Sequence, residues 1–171
     1  MRIGLIADIH GNLLALDTVL AHLADKHGDE IICLGDVAAL GPHPSEVLAR
    51  LRNLECAVVM GNTDAWLLHP PPFSNDPANV AQRDITDWGI ARVSSADRGY
   101  IDAFAPTLSR TFGYDEEMLC FHGSPRSHDE VIIATTSESD LDLMCGEMRA
   151  TILVGAHTYA DGALVPGQTA D

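Results

Sequence analysis

The chain has 171 residues, which is enough for one domain with its own hydrophobic core. Ten Lys and Arg against 25 Asp and Glu give a formal net charge of −15, and this balance excludes a protein that binds nucleic-acid polymers through a basic patch. No apolar run reaches the length of a membrane span, and the N-terminus lacks the apolar core of a signal peptide, so we expect a cytoplasmic protein with no membrane contact.

Five short apolar runs predict buried β-strands. Each consists mostly of apolar residues, which is typical of strands covered on both faces, and each ends at Gly, Asp or His. The runs comprise residues 2–7, 31–34, 57–60, 118–121 and 151–154. Helical segments between the first three runs predict a β-α-β-α-β unit with parallel strands and right-handed crossovers.

Two helices are predicted between these strands. The first covers residues 12–27, where Asn12 can cap the start and Gly28 the end. The second covers residues 44–54 and has Pro44 in its first turn, where a missing N–H is tolerated. The apolar face of the first helix consists of Leu13, Leu16, Leu20 and Leu23.

Residues 69–110 are predicted to form a helical excursion over the sheet edge, so that the whole chain, residues 1–171, is one domain. The segment begins with a Pro-rich stretch that breaks regular structure. We expect Trp66 and Trp88 to pack the excursion onto the sheet, and a role as substrate platforms is the alternative. The helices predicted in and after the excursion cover residues 80–93, 96–104 and 137–148.

Polar residues with metal-binding chemistry follow the predicted strands. The carboxyl ends of parallel strands are where α/β proteins bind ligands, so these side chains are expected to meet there. Taken singly, each is more often a helix cap, a turn former or an ordinary surface or core residue, but five groups in this order indicate one site. Such ligands suit Mn²⁺, Fe or Zn²⁺, and a carboxylate can bridge two ions about 3.5–4 Å apart. The residues are Asp8, His10, Asp36, Asn62, Asp64, His122 and His157.

The ordered set resembles the motifs of the calcineurin-like metallophosphoesterase superfamily, specifically its short YfcE-like bacterial and archaeal branch. The family pattern runs D-x-H, G-D, G-N-[H/C/T]-[D/E], H-G and G-H-T-H. The resemblance extends from Met1 to about Thr158, and D-I-H-G-N-L-L at residues 8–14 is an especially close match. The matching motifs are Asp8-Ile9-His10, Gly35-Asp36, Gly61-Asn62-Thr63-Asp64 and His122-Gly123.

The resemblance implies an α/β fold, a four-layer α-β-β-α sandwich with two mixed central sheets. It also implies a phosphoesterase in which a water or hydroxide that bridges two divalent metal ions attacks a small phosphoanionic substrate. Mn is the favoured metal, with Fe, Zn or Ni as alternatives. In chain order, the first ion would be held by Asp8 and His10, both ions by Asp36, and the second ion by Asn62, His122 and His157.

Asp36, Asn62 and Arg126 are the candidate catalytic residues. Asp36 and Asn62 are candidates because of the family resemblance. Arg126 directly follows the H-G-S-P segment at residues 122–125, where its guanidinium can meet a phosphate oxygen. A surface cation is the alternative for Arg126.

Three departures from the family pattern bear on activity. Thr63 stands where many members have a His that helps the leaving oxygen depart, and in the YfcE-like branch the lack of this His goes with a preference for phosphodiesters over monoesters. Thr cannot supply the general acid help of about 10²–10⁴-fold, which is consistent with that preference. Ala156 replaces a glycine of the last motif. Tyr159 stands where a second His would bind the first metal. Because a phenol with a pKa of about 10 is a poor ligand for a divalent ion at neutral pH, we expect a weak first metal site. The C-terminus at Asp171 is shorter than the pattern, which leaves a sheet edge that a partner, such as a second copy in a homo-oligomer, could cover.

An alternative interpretation keeps this fold without catalysis. The chain would then be a scaffold or binding module with a degenerate first metal site, as Thr63, Tyr159 and the short end suggest. The enzyme is favoured because the metal-binding motif positions other than Tyr159 are intact. A nucleotide-binding domain without metal is disfavoured, because no glycine-rich phosphate loop follows the first strand.

Overall fold

Two three-stranded sheets organise the chain in the computed structural model, which describes residues 1–113, 116–146 and 150–158. In the first sheet the strands are parallel and helices connect them, which confirms the predicted β-α-β-α-β unit. Its strands are β1 (Ile3–Ile6), β2 (Glu30–Cys33) and β3 (Ala57–Val58). The connecting helices are α1 (Leu13–Asp25) and α2 (Pro44–Asn53).

Helix α1 begins as predicted and ends differently. The Asn12 side chain accepts a hydrogen bond from the Ala15 N–H at 3.1 Å, as expected of an N-cap. The prediction that Gly28 caps the other end is wrong, because the helix has already ended and His27 takes the left-handed conformation with φ of 52°. His is one of the residues that adopt this conformation more readily than most, so the chain turns one residue before the glycine.

Helix α3 is the one element of the first half that the sequence patterns do not predict. It has seven residues and begins inside the G-N-T-D motif, so it is too short to show a helical apolar period. The three later helices lie where they are predicted, with shifted ends, and residues 147–148 of the last prediction lie outside the described residues. The bounds of α3 and of the three later helices are α3 (Asn62–Leu68), α4 (Pro77–Ile90), α5 (Ser95–Asp102) and α6 (Glu138–Cys145).

The second sheet contains a strand that the sequence patterns also miss. Strand β4 (Leu108–Phe112) runs antiparallel to β5 (Glu116–Cys120), and β6 (Ile152–Val154) runs parallel to β5. Arg110 interrupts the apolar pattern of β4. The structure pairs this guanidinium with Glu30 of β2, with Nε 2.9 Å from a carboxylate oxygen, so the missed strand also ties the two sheets together.

Apolar contacts define four layers. Between the sheets, Ile32 of β2 packs in one cluster with Met118 of β5. On the outer face of the first sheet, Leu20 of α1 and Leu48 of α2 are buried, and Cys145 of α6 packs on the second sheet. The α/β four-layer sandwich is thus confirmed. Only the second sheet is mixed, however: the first is parallel throughout its described strands, because helical crossovers join β1, β2 and β3. Within the described ranges, none of the helices combines the length and the apolarity that a membrane crossing requires.

A hydrogen-bonded cluster around Asp97 joins α5 to α2. The carboxylate accepts bonds from the Ser94 N–H and hydroxyl at 3.1 and 2.8 Å, and from the Ser45 hydroxyl and the Arg52 guanidinium at 3.2 Å each. We expect Asp97→Ala to lower the free energy of unfolding by about 1–3 kcal/mol, because the carboxylate half of the capping box is lost and the groups that donate to it are left without this partner. Urea denaturation measures this change in the free energy of unfolding. The control Asp102→Ala, at the exposed end of α5, should change stability by less than about 0.5 kcal/mol, and an equal loss in both variants would contradict the prediction.

Candidate metal centre

The six predicted ligands all lie where strands end, at the carboxyl ends of the two sheets. The parallel pairing of β1 with β2, β2 with β3 and β5 with β6 directs these ends to one side of the molecule. Asp8 and His10 follow β1, Asp36 follows β2, Asn62 begins α3 after β3, and His122 and His157 follow β5 and β6. Two groups of potential ligand atoms result, each with all atoms within 4.8 Å of one another: Asp8, His10 and Asp36, and Asp36, His122 and His157.

The imidazole of His122 occupies the middle of the second group and is only 1% exposed. Its Nδ1 lies 2.8 Å from the Leu34 carbonyl oxygen, which can only accept, so Nδ1 carries the proton. Its Nε2 faces Asn62 Oδ1 at 3.1 Å, His157 Nδ1 at 3.2 Å and Asp36 Oδ1 at 3.5 Å. Because these atoms direct lone pairs toward one another, the donor set fits a cation between them.

Asp36 belongs to both groups because its two carboxylate oxygens face different imidazoles. Oδ1 is 3.5 Å from His122 Nε2, and Oδ2 is 3.7 Å from His10 Nε2. The Ala39 carbonyl lies 3.3 Å from His10 Nδ1, which leaves Nε2 of that ring for the site. The Thr63 N–H donates to Asp36 Oδ1 at 3.0 Å. A carboxylate held in this way between two imidazoles has the arrangement of a bridging ligand.

Four of the six predicted ligands have a left-handed backbone. The φ angle is 51° at Asp8, 45° at His10, 54° at Asp36 and 69° at His157, and these are four of the seven non-glycine residues with positive φ in the described ranges. Such a conformation costs on the order of 1–3 kcal/mol and persists where the surroundings impose it, typically at functional sites. Gly61 is part of these surroundings, since a Cβ there would lie 2.2 Å from both the backbone N and Oδ1 of Asp36.

The charges of the centre shift one another's pKa values. Burial raises the pKa of Asp8, although the nearby His122 opposes this. Burial also acts to raise the pKa of Asp36, but the hydrogen bonds and charge of His122 and the bond from Thr63 outweigh it, so that pKa is lowered. At His122 burial acts to lower the pKa and Asp36 raises it, with a raised pKa as the result. Burial, followed by the charge of His122, lowers the pKa of His157.

Asp64 is a buried residue beside the centre whose contacts the sequence patterns do not predict. It is fully buried, and its carboxylate accepts hydrogen bonds from the Val37 N–H at 2.9 and 3.0 Å and from the Ala38 N–H at 3.1 Å. These bonds fix the backbone directly after Asp36. Burial and then the Asp36 charge raise the pKa of Asp64 to about 7, against the effect of the two N–H bonds. Its place in the G-N-T-D motif is the signal from which this role could have been inferred.

We expect Asp64→Asn to weaken both folding and metal uptake. The amide would turn an NH₂ group toward backbone N–H groups that now bond to carboxylate oxygens, and a buried donor without an acceptor costs about 1–3 kcal/mol. Urea denaturation and the metal content of the purified protein measure the two effects. Asp87→Asn, on the exposed side of α4, is the matched control. Wild-type stability and metal content in Asp64→Asn would show that the carboxylate does not support the centre.

Arg126 forms an ion pair with Glu130 in this structure. Its Nε donates to Glu130 at 2.8 Å and its Nη1 to the Leu143 carbonyl at 2.6 Å. Because Glu130 already neutralises the guanidinium, the geometry gives no support to the predicted contact with a phosphate oxygen.

Ala156 packs against the cluster between the sheets. Tyr159 lies outside the described residues, so the weakness of the first metal site stays a prediction.

Comparisons with known proteins agree on one family. A family model described as Calcineurin-like phosphoesterase matches residues 1–159. The chain is 41% identical over 66 residues to an uncharacterized protein from Methanocaldococcus jannaschii, in a match that covers 39% of the chain and 27% of that protein. It is 42% identical over 67 residues to a symmetrical bis(5′-nucleosyl)-tetraphosphatase from Serratia proteamaculans, with 37% of the chain and 24% of that protein covered.

A solved structure is similar over a longer range. The crystal structure of a metallophosphoesterase from Sphaerobacter thermophilus matches with a TM-score of 0.69 at 28% identity, over 92% of this chain and 60% of that one. The chain thus spans 60% of this solved relative, and the segments it matches are 27% and 24% of the two curated relatives.

Proposed function

The chain belongs to the calcineurin-like phosphoesterase family, and we propose that it is a metal-dependent phosphoesterase that hydrolyses phosphodiesters of small phosphoanionic molecules. The observation that carries this proposal is the pair of ligand groups that share Asp36. On the order of its motifs we assign it to the YfcE-like branch of the family.

The donor set supports two divalent cations, and Mn²⁺ is the first choice because carboxylate, imidazole and amide donors suit it, with Fe, Zn and Ni as alternatives. Cations of this kind supply charge neutralisation at a phosphate and a water of lowered pKa. One cation would be held by Asp8, His10 and Asp36, and the other by Asp36, Asn62, His122 and His157.

The chain itself holds these donors in place before a substrate arrives. The Leu34 carbonyl fixes the ring of His122, and the Ala39 carbonyl fixes that of His10. The Thr63 N–H positions Oδ1 of the shared carboxylate. Loss of such outer contacts typically changes metal affinity or activity about 10–100-fold, so the backbone carbonyls and amides are part of the functional unit.

Thr63 supports the preference for diesters. Its hydroxyl is buried and has no hydrogen-bond partner among the described residues, and a hydroxyl cannot donate a proton to a leaving alkoxide as an imidazolium can. Substrates whose leaving group departs without a proton are therefore favoured. The Serratia relative is named for a bis(5′-nucleosyl) substrate, and we include nucleoside phosphates among the candidate substrates of this chain.

Hydrolysis of bis(p-nitrophenyl) phosphate and of p-nitrophenyl phosphate with added Mn²⁺ tests the proposal. We expect activity that EDTA abolishes and Mn²⁺ restores, and a higher kcat/KM for the diester. His122→Ala should remove the activity, whereas the control His22→Ala, on the exposed side of α1, should retain it. A folded protein that neither hydrolyses these esters nor retains metal after dialysis would refute the enzyme and favour the non-catalytic scaffold.

A further inference from the structure

A cavity of about 420 Å³ opens between the loop that follows Asp36 and one face of α4. This volume lies within the usual range of small-molecule sites. Most of its wall is apolar, and Ile85 and Trp88 are 40% and 36% exposed. Trp88, for which we expect a core or rim position, is thus partly exposed. The lining residues are Leu40, Gly41, Pro42, Asp84, Ile85 and Trp88.

The wall of the cavity adjoins the first ligand group through backbone contacts. The carbonyl of Ala39, directly before the cavity wall, lies 3.3 Å from His10 Nδ1. Gly41 in the wall packs so closely against the backbone of His10 that a Cβ on it would lie 1.6 Å from the His10 carbonyl oxygen. Leu40 and Gly41 of the wall follow Ala39 directly in the chain, and because residues 39 and 41 both contact His10, the cavity borders the residue that would hold a phosphate.

The wall is suited to a flat group without negative charge. The Arg92 guanidinium stacks 3.6 Å from the centroid of the Trp88 ring and donates to the Trp88 carbonyl at 3.2 Å. This stack restrains the indole, which lines the cavity and is 36% exposed. Asp84 is the one charged residue of the lining, and although its carboxylate lies 3.5 Å from the Arg83 guanidinium, it can still accept hydrogen bonds from ring or amino N–H groups. An apolar wall with one such acceptor suits a neutral heteroaromatic ring, and the phosphate of the same molecule would lie at the metal centre.

We propose that the cavity binds the nucleobase of a nucleoside phosphate ester, stacked on Trp88, with the phosphate at the group of Asp8, His10 and Asp36. The substrate assignment rests on the proposed phosphoesterase function, but base binding does not. Stacking on an aromatic ring tolerates every base, and the Asp84 carboxylate favours bases that present an N–H group.

Fluorescence tests base binding without catalysis. The chain has two tryptophans, so Trp66→Phe leaves Trp88 as the sole indole. We expect 5′-AMP, in the presence of Mg²⁺, to quench this fluorescence to saturation, and ribose 5-phosphate to leave it unchanged. Equal quenching by both compounds, or none by 5′-AMP, would overturn the proposal.

Kinetics test the same contact during turnover. For Trp88→Ala we expect the ratio of kcat/KM for thymidine 5′-(p-nitrophenyl phosphate) to that for methyl p-nitrophenyl phosphate to fall about 10- to 100-fold, the range for loss of one base–aromatic stack. Trp88→Phe should restore part of the ratio. Ile133→Ala removes another exposed apolar side chain, outside the cavity, and should leave the ratio unchanged.

The two proposals fail in different ways. If both esters are hydrolysed and the ratio is unchanged in Trp88→Ala, the cavity does not bind the base, and the phosphoesterase stands. If 5′-AMP quenches Trp88 but neither ester is hydrolysed, the cavity binds the base, and the phosphoesterase is refuted.

Discussion

Asp36→Asn is expected to abolish hydrolysis and to remove bound metal from both ligand groups. Asp36 is the residue that the two groups share, with one oxygen 3.5 Å from His122 and the other 3.7 Å from His10. An amide carries no charge and offers one oxygen where the carboxylate offers two. We expect kcat/KM to fall by more than about 100-fold, which is the upper end of the loss caused by removing an outer contact of a metal ligand. Rate measurements with Mn²⁺ and metal analysis of the same samples provide the test.

The control for this variant is Asp25→Asn, which makes the same chemical change at the exposed end of α1. It should retain wild-type activity and metal content. A urea transition recorded for Asp36→Asn separates loss of metal from loss of fold. If the folded variant kept its metal and its activity, the shared carboxylate would not be the bridging ligand.

Gly61→Ala is expected to destabilise the fold and to weaken metal binding at the same time. The added Cβ would lie 2.2 Å from the backbone N and Oδ1 of Asp36, and a backbone atom cannot give way as a flexible side chain can. Overpacking of this kind usually costs about 1–3 kcal/mol, and the displaced carboxylate should lose metal as well. Urea denaturation and metal content are the measurements.

Gly99→Ala is the matched control for this variant. Gly99 lies within α5, and a Cβ there meets no atom within 4 Å. Because alanine is the better helix former, this variant should be more stable by about 0.5–1 kcal/mol. If Gly61→Ala were as stable as Gly99→Ala and kept its metal, the close approach to Asp36 would not matter to the centre.

Much of the fold can be predicted from the apolar runs and the spacing of leucines in the sequence. Aliphatic runs before Asp8, Asp36 and Asn62 predict the parallel strands, and the spacing of leucines predicts α1. Strand β4 escapes detection because Arg110 stands in it, and only the folded chain brings Glu30 close enough to pair with that charge. Helix α3 escapes because seven residues are too few to show a helical period.

The candidate site, like the fold, can be predicted from the sequence only in part. Which residues could be ligands follows from the order of the motifs, since parallel strands bring their carboxyl ends together. The contacts that hold the ligands cannot be predicted from the sequence, because Leu34 and Ala39 contact the imidazoles through backbone carbonyls, which any residue could provide. The ion pair of Arg126 with Glu130 depends on the local turn, so the sequence alone suggested a phosphate contact instead.

The most direct test of the central claim is the electron paramagnetic resonance spectrum of the protein loaded with Mn²⁺. Two Mn²⁺ ions that share the Asp36 carboxylate are magnetically coupled, so we expect a broad spectrum characteristic of an exchange-coupled pair. Asp36→Asn should not show this spectrum. The resolved hyperfine lines of isolated Mn²⁺ at full loading of the wild-type protein, or no bound manganese at all, would contradict a centre of two ions around a shared carboxylate.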